Sequence, residues 1–201
     1  MRVKSLEISG FKSFARKSSF EFGAQVSAIV GPNGSGKSNV AEALRFVLGE
    51  QSLKSMRGKR TEDLIWNGSK SVERQNRAKV TITFDNSDHT FPIDYNEVAI
   101  AREIHRDASS EYFINGSGVR LKDVIELLAA VHIGASGHHI ISQGEADRIL
   151  NSSPKDRRAM IEDALGLKVF QIKKQETIAS LRRPRRIFNK YIRFEEKQRR
   201  I

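Results

Sequence analysis

Gly31-Pro32-Asn33-Gly34-Ser35-Gly36-Lys37-Ser38 is the stretch on which the reading of this chain turns. It fits G-x-x-x-x-G-K-[ST] at every fixed position, and its flanks suit a phosphate-binding loop. Val26-Ser-Ala-Ile-Val30 before it is short, apolar and β-branched, the pattern of a buried strand. After it, Val40, Ala43, Leu44, Val47 and Leu48 recur at helical spacing. Strand, glycine loop and helix together make a nest of inward N–H groups at the positive end of a helix dipole. Lys37 is placed to reach β- and γ-phosphates and the Ser38 hydroxyl to ligate Mg²⁺. The octapeptide therefore implies a site for a nucleoside triphosphate. A glycine-rich surface turn is the plain alternative.

Working outward, 201 residues suffice for one sizeable core, or one domain plus an appendage. Hydrophobic residues make up 38% and charged residues 29% of the chain, a globular balance towards the polar end. No apolar run approaches the roughly 18–20 residues of a membrane span. The N-terminus lacks the apolar core of a signal peptide. Without cysteine there is no disulfide and no thiolate metal site. A cytoplasmic protein with no membrane partner is expected. The net charge of +11 resembles a nucleic-acid footprint, but residues 182–201 hold nine Lys or Arg against two Glu. The remainder is only weakly basic, so local clusters are more informative than the total. One is Lys54, Arg57, Lys59 and Arg60; another is Arg120 with Lys122.

Periodicity predicts a mixed α/β lobe. Strands are expected at 3–8, 19–22, 79–84, 98–104, 112–114 and 138–142. An amphipathic helix is expected at 121–131, and a second starts at Ser152-Ser153-Pro154 and runs to about Leu181. His138 and His139 fall on opposite faces of a strand and suit no shared metal. Asp85 reads as a turn aspartate and Trp66 as a core aromatic.

Several further blocks carry a family resemblance. Gly10-Phe-Lys-Ser-Phe14, the loop Gly31–Asn39, Leu48-Gly-Glu-Gln-Ser52 with Met56-Arg-Gly58, and Glu62–Ser69 resemble the N-terminal head of SMC (structural maintenance of chromosomes) ATPases. Tyr112–Asp123, Ile141–Ile149 and Pro154–Gly166 are similar in the same way, down to a Q-loop and the entry into a coiled coil. The resemblance covers residues 1 to about 181 and is nearest to bacterial members. Related double-strand-break-repair ATPases share the phosphate loop but not the 48–58 block.

This resemblance implies an ABC-type P-loop NTPase head, N-terminal lobe, with a mixed sheet around the P-loop helix. The lobe would span 1–152, the helix entering the coiled coil 153–181, and a basic tail atypical of the family 182–201. ATP and Mg²⁺ are the implied cofactors. Gly31, Pro32, Asn33, Gly34, Ser35, Gly36, Lys37, Ser38 and Asn39 would hold the phosphates, with Lys12 and Ser13 on the base and sugar side. Ser38 and Gln143 would hold Mg²⁺, Gln143 sensing the attacking water and Arg57 neutralising transition-state charge. Arg60, Arg120 and Lys122 match positions facing DNA, contacted through phosphates without sequence preference. The implied partners are DNA, the C-terminal lobe of the same head, a second SMC head and a kleisin-type subunit, on the nucleoid. The signature motif and an Asp-Glu pair, which the family carries in its C-terminal lobe, do not occur here. Pro184 among arginines also interrupts the outgoing helix. The expectation is a half-site that binds ATP without turning it over alone. A repair-type head, and in a different class a non-catalytic nucleic-acid-binding module, are the alternatives.

Overall fold

The computed structural model describes residues 1–23, 25–133, 140–141 and 150–164, with scattered positions from 167 to 181. The chain divides into Met1–Gly166 and Leu167–Ile201. In the second unit Thr177 donates its hydroxyl to the Lys173 carbonyl at 2.9 Å, a bond within one helical turn.

The first unit is built on a six-stranded sheet in the order β2-β1-β3-β4-β5-β6, antiparallel throughout. Its strands are β1 (Arg2–Ser9), β2 (Ser18–Glu21), β3 (Arg77–Asp85), β4 (Glu97–His105), β5 (Ser110–Ile114) and β6 (Ser117–Val119). Alternation decides the faces. Leu6, Ile82, Ile100 and Ile114 lie in register across β1, β3, β4 and β5, and the first three are fully buried. Glu7, Thr81, Ala101 and Phe113 form the opposite face. Helix α1 (Lys37–Val47) packs on β3 and β4, and α2 (Leu121–Ala130) on β5. Phe46 of α1 meets Phe11, which follows β1, with ring centroids 5.2 Å apart.

The end of α1 is fixed twice. Gly49 takes φ 97°, while the N–H groups of Gly49 and Glu50 donate to the carbonyls of Phe46 and Arg45. This is a Schellman end, with glycine at the left-handed position. Arg102 of β4 then reaches in, stacking 4.2 Å above the Phe46 ring and donating to the carbonyls of Phe46 (3.1 Å) and Glu50 (2.6 Å). Burial pushes its pKa below the usual arginine value.

Helix α3 (Pro154–Ala164) starts where the Ser-Ser-Pro signal places it. Ser153 accepts the Asp156 N–H and donates to the Asp156 carboxylate. Asp85, expected in a turn, is instead the last residue of β3, in register with Arg2 and Glu97, and its carboxylate accepts the N–H and hydroxyl of Ser87 just beyond the strand. No helix among the described residues is long and apolar enough to cross a membrane.

Other expectations meet the structure differently. Residues 26–30 form no strand, and Val26 and Val30 are each 87% exposed. A strand is held by its neighbours' N–H and C=O groups, and no described strand pairs with this one. The described sheet is antiparallel throughout, within the mixed α/β lobe that the sequence predicts. Trp66 is half-buried rather than central, its backbone N–H bonded to the Gly10 carbonyl at 2.7 Å. The strand expected at 138–142, with its two histidines, lies outside the described residues except for 140–141, which are not strand.

Gly10 supplies a test of how β1 turns into the site. Its φ is +65°, and an added Cβ would lie 2.4 Å from the Arg77 carbonyl oxygen, a backbone atom. Gly116 has φ +80° but open space around the same position. Gly116→Ala should cost about 1–2 kcal/mol from backbone strain alone. Gly10→Ala should cost about 3 kcal/mol or more, because overpacking adds to the strain. Chemical denaturation of both variants measures the difference; equal losses would contradict the packing.

Candidate functional site

The loop from Gly31 to Ser38 is exposed and shaped by its own backbone. The Ser35 N–H donates to the Pro32 carbonyl at 3.3 Å, and Gly34 and Gly36 take φ of 82° and 92°. Gly36 precedes α1 without a side-chain cap. The N–H groups of Lys37 and Ser38 find no acceptor among the described residues, as first-turn helix donors do. Such N–H groups at the positive end of the helix are an anion-binding arrangement. Lys37 Nζ is held against the loop, 2.6 Å from the Gly31 carbonyl and 2.7 Å from that of Pro32.

A second segment closes on this loop. Asn39 donates its amide to Ser13 Oγ at 2.8 Å, and a Cβ on Gly36 would come within 2.8 Å of that same oxygen. The structure therefore brings Ser13 and Asn39 together, and at position 36 only glycine is small enough to let them meet. Lys12 turns inward instead: its Nζ donates to the Glu42 carboxylate and to the Met56 carbonyl, and its side chain is 12% exposed. Arg57 donates its Nε to the other oxygen of Glu42. Ser13 thus meets the loop at the start of α1, while Lys12 and Arg57 share Glu42 midway along the same helix.

The other sequence candidates stand apart from this group. Arg60 and Arg120 occupy equivalent local positions, each the residue before a short helical segment and each three residues ahead of an aspartate. Asp63 accepts the backbone N–H groups of Lys59 and Arg60 at the 3-10 turn Thr61–Leu64. Asp123 accepts the Arg120 N–H at the start of α2, and both its oxygens take the Arg120 guanidinium. Arg60 also pairs with Glu62, and Lys122 with Glu126 at 3.7 Å. All three basic groups are accessible, yet each has a carboxylate beside it. Gln143 lies outside the described residues.

Sequence reasoning missed Glu42, Arg45 and Arg102. All three are buried charged residues. Arg45 donates to the Ile140 carbonyl at 2.6 Å. The apolar spacing of α1 gave no warning, because it marks only the stripe that faces the sheet. The available signal was a carboxylate inside a short helix with two cations, Lys12 and Arg57, in the flanking motifs.

The chain is similar to several known proteins. The family described as RecF/RecN/SMC N terminal domain matches residues 2–148. A Chromosome partition protein Smc from Lactiplantibacillus plantarum is 52% identical over 167 residues, covering 83% of this chain and 14% of the relative. The chain thus spans about a seventh of that protein's length. Among solved structures, one from work on ATP-driven dimerization and DNA-stimulated activation of SMC ATPases is 40% identical with TM-score 0.74, covering 81% of this chain and 99% of that one. The Smc head domain of Pyrococcus furiosus, with an extended coiled coil and bound to the C-terminal domain of ScpA, is 39% identical with TM-score 0.78. It covers 90% of this chain and 46% of that one.

The two aspartate caps make a pH-dependent prediction. Hydrogen bonds from the Arg60 and then the Lys59 backbone hold the Asp63 carboxyl below the usual carboxylate range. For Asp123 the Arg120 side chain comes first and its backbone N–H second. Folded values below the unfolded ones mean that both caps stabilise at neutral pH and are lost as pH falls through the folded values. The Arg60 and Arg120 amide resonances should therefore titrate below the ordinary aspartate range. Asp123→Asn should abolish the Arg120 transition and leave that of Arg60; persistence at Arg120 would contradict the assignment.

Proposed function

The chain belongs to the RecF/RecN/SMC N-terminal domain family, and from that premise we propose that it is the ATP-binding N-terminal lobe of an SMC ATPase head. The observation that carries the proposal is the seating of the glycine loop on α1, clasped by Ser13 through Asn39. Gly34, Gly36, Lys37 and Ser38 offer N–H groups, Lys37 a cation and Ser38 a hydroxyl to a triphosphate. Among the described residues no cluster of three His, Asp or Glu could hold a metal ion. The Ser38 hydroxyl suits Mg²⁺, which takes few protein ligands and arrives on substrate phosphates. Ser38 and Gln143 are its proposed ligands. Arg57 reaches the phosphates from the loop after α1, while Ser13 lines the nucleotide's approach.

Turnover needs groups that this chain does not carry. Exposed Val26, Ile29 and Val30 form an apolar segment without a sheet partner among the described residues. The C-terminal lobe of the same head is proposed to pair there and so complete the sheet. A second head would then supply the opposing face of the nucleotide, in line with the ATP-driven dimerization named for the related SMC ATPases. A kleisin-type subunit is proposed by likeness to the head bound to ScpA. DNA contact is assigned to Arg60, Arg120 and Lys122, whose exposure suits phosphate recognition.

Nucleotide handling is the direct test. The chain alone should bind a fluorescent ATP analogue in a Mg²⁺-dependent manner and hydrolyse ATP at background rates. Lys37→Ala should abolish binding. Lys37-dependent turnover by this chain alone would refute the half-site, and undiminished binding in Lys37→Ala would refute the loop as the site. In the complete protein, Arg60→Ala with Lys122→Ala should weaken DNA binding equally on unrelated sequences. The slope of log K against log salt should fall by about one unit for each DNA phosphate that the variant no longer neutralises. An unchanged slope would move the DNA surface elsewhere.

A further inference from the structure

Glu42 is an acidic residue on a helix otherwise committed to core packing, and it is only 6% exposed. A buried carboxylate persists only when it is paired and hydrogen-bonded. Its two oxygens take different cations: Oε2 accepts from Lys12 Nζ and Oε1 from Arg57 Nε. Lys12 Nζ also donates to the carbonyl of Met56, the residue immediately before Arg57. The loop that carries Arg57 is therefore tied to α1 at two consecutive residues, once directly and once through Lys12.

The backbone adds a second, independent observation. Residues 53–58 close with the Gly58 N–H on the Leu53 carbonyl (2.8 Å) and the Arg57 N–H on that of Lys54 (3.1 Å). This is the same bonding pattern that ends α1, and it places Arg57 where Gly49 stands there. Arg57 takes φ +50°, and Lys12 takes +47°. Both cations on Glu42 thus occupy left-handed backbone that a non-glycine residue adopts at a cost. A chain that puts arginine at a glycine position, and buries a carboxylate to hold it there, is committing that guanidinium to a fixed direction.

We infer that Glu42 is a positioning residue, which orients the Arg57 guanidinium toward the nucleotide phosphates. The inference rests on the proposed reading of Arg57 as a phosphate-facing group. Glu42 takes only Nε of Arg57. The two Nη groups have no partner among the described residues, and the side chain is 60% exposed. Holding Nε fixes the plane of the guanidinium and leaves its bidentate edge for two phosphate oxygens. Charge agrees as well: Glu42 offsets one of the two cations, Lys12 is enclosed, and the excess positive charge sits on the exposed guanidinium. Glu42 lies five residues beyond Lys37, roughly 7.5 Å along the same helix. The arginine is thereby registered to the lysine by one rigid element.

The test is steady-state ATP hydrolysis and fluorescent-nucleotide affinity in the complete protein. Glu42→Gln should lower kcat roughly tenfold and change nucleotide affinity less than about twofold, as for a group acting on the transition state alone. Arg57→Ala should do the same. The double variant should fall no further than Arg57→Ala, because both changes remove one interaction. Glu42→Asp keeps the charge and should recover most of kcat. If Arg57→Ala slows hydrolysis while Glu42→Gln does not, or if the two losses multiply, the inference is overturned and the role of Arg57 stands. If Arg57→Ala leaves kcat unchanged, the reading of Arg57 itself fails, and this inference with it. Should Glu42→Gln fail to fold, Glu42→Asp carries the comparison: its deficit in kcat must vanish in the Arg57→Ala background, and a deficit that persists there overturns the inference.

Discussion

The first helix is enclosed on both sides, and the lobe depends on that enclosure. Toward the sheet, α1 buries Val40, Ala43, Phe46 and Val47, a stripe for which apolar burial is sufficient explanation. Away from it the helix is still buried, and there it carries Glu42 and Arg45. Charges on the enclosed side demand partners, because an unpaired ion in that setting costs several kcal/mol. Those partners come from three separate parts of the chain: Lys12 after β1, Arg57 in the loop after α1, and the Ile140 carbonyl. Apolar contact fixes the helix on the sheet without much direction. The ion pairs supply the direction, since a carboxylate oxygen satisfies its donors only over a narrow range of positions. The helix that presents Lys37 and Ser38 is therefore registered against everything that surrounds them.

This division also explains what the sequence disclosed. Strands β1 and β3 and helix α2 were legible because one face of each meets the core, and burial imposes a period that residue types reveal. The loop before α1 was legible because Gly34 and Gly36 take backbone conformations that other residues avoid. The 26–30 segment has the composition of a strand and is not one here, because pairing is a property of the neighbour as much as of the segment. Trp66 departs from expectation for a related reason: its composition is apolar, but the structure uses its backbone N–H, on the Gly10 carbonyl, as the brace. Glu42 and Arg102 were invisible because a buried charge looks like a surface charge until its partner is found.

Two turns with one hydrogen-bond pattern show how stability and placement diverge. At the end of α1 the left-handed position holds Gly49, the residue with the least strain there. In the next turn of this kind Arg57 stands at the equivalent position, and Gly58 directly follows it. A turn selected for stability alone would place the glycine one residue earlier. What the displaced register delivers is a long cation at the apex, with its Nε against a buried acid and its far edge outward.

The basic surface follows a different rule from the two cations on Glu42. Arg60 and Arg120 each precede an aspartate that caps a helical turn, so part of each guanidinium's or backbone's polarity is satisfied locally. Exposed ion pairs of this kind are weak, generally below about 1 kcal/mol. A phosphate can therefore displace or share them at little cost, and high salt would weaken pair and phosphate contact alike. The pairs on the buried Glu42 carboxylate have less freedom, since a departing partner would leave that carboxylate without its cation. One kind of cation is held where it stands; the other remains exchangeable. That contrast suits the proposed reading, in which the phosphate neighbourhood keeps its geometry while an outer surface engages a polyanion of any sequence.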